Sequence, residues 1–126
     1  MTLQISSTKT HHIDLTPAIS DYIEKRLSKI DKLIDKEDTS AQADIEIGKE
    51  VPDQHSGDIF YAKIGMHMSE GYVFSDAQKD DLYAAIDTAV DEIVREVRKK
   101  KGKKETLMRR GARVVKRTIT RFRSDS

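Results

Sequence analysis

The stretch DDLYAAIDTAVDEIVREVRKKKG, residues 80–102, decides how the chain is read. Leu82, Ala85, Ile86, Ala89, Ile93 and Val97 recur at spacings of three and four, the period of a helix that buries one stripe. Asp80 is placed to cap its first turn. Gly102 is placed to end it after Lys101, because glycine readily adopts the left-handed conformation in which helices stop. Arg95, Arg98, Lys99, Lys100 and Lys101 crowd its last turns. One or two cations would offset the helix dipole there, and five exceed that need.

Upstream of this helix the period changes from 3.6 to 2. Tyr72 to Gln78 alternates, as do Phe60, Ala62, Ile64, Met66 and Met68 before a turn at Glu70-Gly71. Ala43, Ile45 and Ile47 alternate with Asp44 and Glu46, the pattern of a strand with one wet face. Gly48 to Asp58, with Pro52 and Gly57, is expected to form a long hairpin loop. Earlier still, Thr16-Pro17 is a helix start signal, since the hydroxyl caps an orphan N–H and proline loses no needed donor. Ile19, Ile23, Leu27, Ile30 and Ile34 then predict a helix to about Asp35. Thr2 to Ser7, with Leu3 and Ile5 on one side, predicts a first strand. The order β-α-β-β-β-α predicts an α+β fold, a four-stranded sheet with two helices packed on one face, because each helix has a single apolar stripe.

The chain has 126 residues, 37% of them apolar and 36% charged, with a mean hydropathy of −0.64. That suits one folded domain, expected over 1–101, with a solvated remainder over 102–126. A net charge of +1 conceals a division. Residues 1–94 hold 9 Lys+Arg against 19 Asp+Glu, whereas 95–126 hold 14 against 3. Such asymmetry points to a polyanionic partner. The tail cations are Lys103, Lys104, Arg109, Arg110, Arg113, Lys116, Arg117, Arg121 and Arg123. Met108, Ala112, Val115, Ile119 and Phe122 fall at helical spacing among them. The tail is expected to be disordered when free and to act as an accessory RNA-binding arm; the alternative is packing on an exposed sheet face near Tyr72 or Phe74.

No apolar run is long enough for a membrane span and the N-terminus lacks a signal-peptide layout, so a cytoplasmic protein with no membrane partner is expected. The absence of cysteine removes disulfides, thiolate metal sites and a cysteine nucleophile. His11, His12, His55 and His67 show no metal-ligand spacing, and there is neither a glycine-rich phosphate loop nor a nucleophile elbow. No catalytic residue, metal, cofactor or small-molecule substrate is therefore expected. A weaker reading, an enzyme using His67 with a neighbouring carboxylate, is the only one with chemistry in it.

On the first helix the charges sort by sign. Lys25, Lys29, Lys32 and Lys36 fall within about 60° of one another on one flank, with Asp21, Glu24, Asp31 and Asp35 opposite. Like charges one turn apart disfavour a helix by a few tenths of a kcal/mol per pair, a cost a phosphate track reverses.

Asp81-Leu82-Tyr83-Ala84-Ala85-Ile86-Asp87, followed by a helix ending Arg98-Lys99-Lys100-Lys101, resembles the second-helix signature of the ribosome hibernation-promoting factor and ribosome-associated inhibitor A family. Arg26-Leu27-Ser28-Lys29-Ile30 and Lys32-Leu33 are similar to that family's first helix, and the resemblance covers about 1–101. It implies a stationary-phase or stress-response factor, a monomer when free, that sits on the small ribosomal subunit near the decoding region and blocks the mRNA and tRNA sites. It implies rRNA contacts from Lys25, Arg26, Lys29, Lys32, Arg95, Arg98, Lys99, Lys100 and Lys101. Lys36 joins them on the ridge argument alone. The 25 residues after Lys101 are expected to be too few for the separate dimerising domain of the family's long forms. The alternative is a general RNA-binding or RNA-chaperone module without a dedicated ribosomal site.

Overall fold

A computed structural model of the protein describes residues 2–50 and 57–102. The basic tail from Lys103 onward, together with Pro52 and His55, lies outside the described residues. Five elements lead in the order β1 (Gln4–His11), α1 (Pro17–Asp31), β2 (Gln42–Glu50), β3 (Ile59–Met68) and β4 (Gly71–Lys79), and a second helix, α2, covers 82–102. The sheet order is β1-β2-β3-β4, with β1 parallel to β2 and the other two pairs antiparallel. The α+β architecture read from the periodicities is the one present.

Register explains which face is buried. Ala43, Ile45 and Ile47 of β2 align with Met66, Ile64 and Ala62 of β3, which align in turn with Val73, Ser75 and Ala77 of β4. All nine are buried and share one core with Ile23, Leu27 and Ile30 of α1 and with Leu82, Ala85, Ile86, Ala89, Val90, Ile93, Val94 and Val97 of α2. Ser75 is the polar member, 3% exposed, and its hydroxyl donates to the Ala89 carbonyl at 2.9 Å, so burial leaves no orphan. The opposite face carries Asp44, Glu46, Lys63, His67, Tyr72, Phe74 and Asp76. It packs against no element among the described residues and leaves Tyr72 and Phe74 about half exposed.

Boundaries differ from expectation where local hydrogen bonds override the apolar pattern. The first strand begins at Gln4 and runs to His11, beyond Ser7, because its pairing with β2 continues to Gly48. A bulge at Ser6 shifts the alternation by one residue, so that Ile5 and then Thr8 and Thr10 align with Ala43, Ile45 and Ile47, and it brings both Ser6 and Ser7 hydroxyls onto Asp44 Oδ1, at 2.6 and 2.9 Å. Thr16 caps α1, accepting the Ile19 N–H at 3.2 Å ahead of Pro17. That helix ends at Asp31, short of Asp35, as Leu33 and Ile34 turn back to the Ile30 and Asp31 carbonyls in tighter i→i−3 bonds. Ile34 is buried by this turn. Gly48 and Glu50 lie in β2 and not in the expected loop. The cap of α2 is Asp81, one residue later than expected: its carboxylate accepts the Ala84 N–H at 3.2 Å and its carbonyl the Ala85 N–H at 3.0 Å. Gly102, expected to end the helix, is itself helical.

Candidate nucleic-acid interface

Strand directions fix how the helices meet. β1, β2 and β4 run one way, and each helix returns along the sheet in the opposite sense, so α1 and α2 lie parallel. Their contacts step along both chains together. Tyr22 meets Tyr83 edge-to-face with ring centroids 4.8 Å apart. The Tyr22 hydroxyl donates to Asp87 Oδ1 at 2.6 Å. Arg26 Nε stands 2.8 Å from the same oxygen, its Nη2 is 3.8 Å from Asp91 Oδ1, and Lys29 Nζ is 3.7 Å from Asp91 Oδ1. The buried Arg26 Nε–H is not directed at Asp87, so that contact is Coulombic and not a hydrogen bond. The Tyr22 hydroxyl has a raised pKa, first because its proton is held by Asp87 and then because of desolvation.

This seam divides the expected RNA-binding residues. Lys25 is exposed on α1 and Lys32, exposed, is its C-cap. Lys29 is exposed but drawn to Asp91, and Arg26 is half-buried between two carboxylates. Lys36 lies past the helix, in the turn that leads to β2, beside a cavity it lines with Thr2, Asp31, Lys32 and Ile34. On α2, Arg95 and Arg98 are exposed, and Arg98 sits two turns beyond Asp91 on the flank that faces α1. The three lysines that follow diverge: Lys99 pairs with Glu96 at 3.4 Å, Lys100 approaches Gly71, and Lys101 reaches Glu70 at 3.5 Å. Among the described residues, Lys25, Lys32, Arg95 and Arg98 are thus exposed cations of the helical layer with no acidic partner, and Lys100, half-buried against Gly71, has none either. Tail cations are outside the described residues.

Sequence reasoning missed Tyr22, Asp87 and Asp91 as interface residues. The signal was present as Tyr22-Arg26-Lys29 on α1 and Tyr83-Asp87-Asp91 on α2, each a stripe beside the apolar one and of opposite charge. His67 lies on the open sheet face, its ring tilted against Tyr72 at 4.7 Å, far from the helical layer. Among the described residues no group of three or more potential ligands is arranged for a metal, and no helix is long and apolar enough to cross a membrane.

Comparison with known proteins gives one consistent result. The chain is 32% identical over 95 residues to a ribosome hibernation promoting factor of Azotobacter vinelandii, covering 74% of this chain and 78% of the relative. It is 29% identical over 93 residues to a protein of the same name from Klebsiella oxytoca, covering 74% and 88%. Against the ribosome hibernation promotion factor of Bacillus subtilis the identity is 26%, and the match spans 46% of that longer protein. The N-terminal domain of Thermus thermophilus Protein Y superposes with a TM-score of 0.61 at 27% identity, covering 77% of this chain and 98% of that one. A ribosomal subunit interface protein from Coxiella burnetii, 18% identical with a TM-score of 0.58, shares the fold. Residues 7–105 match the family model described as Sigma 54 modulation protein / S30EA ribosomal protein, and the chain belongs to that family.

Proposed function

We propose that the protein is a non-enzymatic ribosome hibernation factor that binds small-subunit rRNA near the decoding region through its helical layer and occludes the mRNA and tRNA sites. The observation that carries this reading is the exposed set Lys25, Lys32, Arg95 and Arg98 on two parallel helices, in a chain whose relatives are named ribosome hibernation factors. Exposed cations without acidic partners release counterions when they meet phosphate, and their attraction is strongest for a dense polyanion. Lys29, Lys36, Lys99, Lys100 and Lys101 border this set, and Arg26 lies beneath it. Lys103 and the cations after it add charge that draws phosphate from a distance. Inhibition then needs no chemistry: a folded domain seated in the decoding region excludes the ligands that use the same ground. Its place of action is the cytoplasm, where that partner is.

Occupancy should therefore be competitive. Pre-filling ribosomes with mRNA and tRNA is expected to weaken binding in a sedimentation assay, and an unchanged affinity would remove the occlusion mechanism. Binding that survives a large excess of unrelated RNA is expected as well. Its loss would favour the plain RNA-binding module, since a binder of backbone alone is competed away.

A further inference from the structure

Asp87 and Asp91 lie one turn apart on α2, in the flank facing α1, with side chains 38% and 48% exposed. Each lowers the positive potential a phosphate meets on this layer, so by charge alone both weaken RNA binding. Their effect on neighbouring cations runs the other way. Arg26, between the two carboxylates at 2.8 and 3.8 Å, and Lys29, 3.7 Å from Asp91, are both drawn by Coulombic attraction toward the seam. A mobile lysine serves any phosphate. A cation drawn to one place serves a phosphate that arrives there, and a misplaced one meets a carboxylate.

We propose that Asp87 and Asp91 are specificity-determining residues of the RNA interface: by drawing Arg26 and Lys29 toward the seam they reduce attraction to polyanions in general and favour one shaped rRNA surface. This rests on the functional reading above. Asp91 is the better probe, because Asp87 also accepts the Tyr22 hydroxyl. The full-length chain, Asp91→Asn and Asp91→Glu are compared for binding to intact ribosomes and to a single-stranded oligouridylate. Asp91→Asn is expected to bind ribosomes about threefold more weakly and oligouridylate about threefold more tightly, so that discrimination falls roughly tenfold, with an unchanged thermal midpoint. Asp91→Glu keeps the charge and is expected to retain the parental discrimination. If both affinities rise, Asp91 is only a repelling charge and the inference is overturned. If both fall together with the thermal midpoint, Asp91 only supports helix packing and the inference is again overturned. A parental chain that does not prefer ribosomes to oligouridylate overturns the functional reading itself, and this inference with it.

Discussion

Gly48 sits in mid-strand because Tyr61, its partner on β3, lies across it: a Cβ there would stand 2.6 Å from the ring. Gly65 is covered in the same way by the Tyr72 hydroxyl end. Gly48→Ala should cost about 1 kcal/mol by displacing the ring, and less in a Tyr61→Ser background where nothing is displaced. Equal costs in the two backgrounds, measured by denaturant titration, would dispose of this account. From sequence Gly48 reads as the start of a loop, since glycine signals turns more often than close approach and the tyrosine that covers it is thirteen positions away. The cations invite a second measurement at this scale. Replacing Lys25 and Lys32 together by Gln should reduce the slope of log K against log salt by roughly 1.4 to 1.8 units, at ~0.7 to 0.9 per phosphate. Lys29→Gln should change it less, because that ammonium already has Asp91 beside it. A larger loss from Lys29 than from the pair would mean that the Asp91 contact is given up on RNA.

At the scale of elements, the connection from α1 to β2 is tied to the β3–β4 turn by one side chain. Asp38 accepts the Ser40 N–H at 2.9 Å and its hydroxyl at 2.5 Å through Oδ1, and the Ser69 N–H at 2.9 Å through Oδ2. Its pKa is lowered, chiefly by the Ser40 hydroxyl and next by the Ser69 N–H. Asp44 is lowered likewise by Ser6, then Ser7. A folded-state pKa below the unfolded one means the unfolded chain binds the proton first as acid is added. The stabilisation is therefore complete above the ordinary aspartate value of ~3.9 and is lost as pH falls through the lower folded values. The thermal midpoint should drop in that acid range, and Asp38→Asn should flatten the drop. A variant with the parental pH profile would show that this tie does not contribute. Elements were legible where one force dominates. Apolar period and a Thr-Pro cap located α1, but its end at Asp31 depends on tight carbonyl bonds and on the Asp31 carboxylate accepting the Leu3 N–H at 2.8 Å, a contact 28 residues away. Asp80 and Asp81 are equivalent in pattern, and only the bonds from the Ala84 and Ala85 N–H groups single out the second.

For the whole molecule, the two sides differ in chemistry. The helical layer carries Lys25, Lys32, Arg95 and Arg98 with no acidic partner among the described residues, whereas the open sheet face interleaves Lys9 and Lys63 with Asp44 and Glu46, beside Tyr72 and Phe74, around a shallow cavity of about 440 Å³. A polyanion thus meets unpaired cations on the helical layer and cations interleaved with carboxylates on the sheet face. That sidedness was half legible: the lysine ridge and the basic end of α2 could be seen in each helix separately, but the Arg26–Asp87–Asp91 seam exists only once the helices are parallel. The parallel pairing of β1 with β2 also governs how the chain is born. Gln4 pairs with Gln42 across a complete helical crossover, while β2, β3 and β4 are joined to their neighbours as hairpins. During synthesis β1 and α1 emerge before β2, and β1 has no strand to pair with until β2 follows. During that interval Ile23, Leu27 and Ile30 have no sheet to cover them, and the nascent chain carries an apolar helix face before it carries a fold.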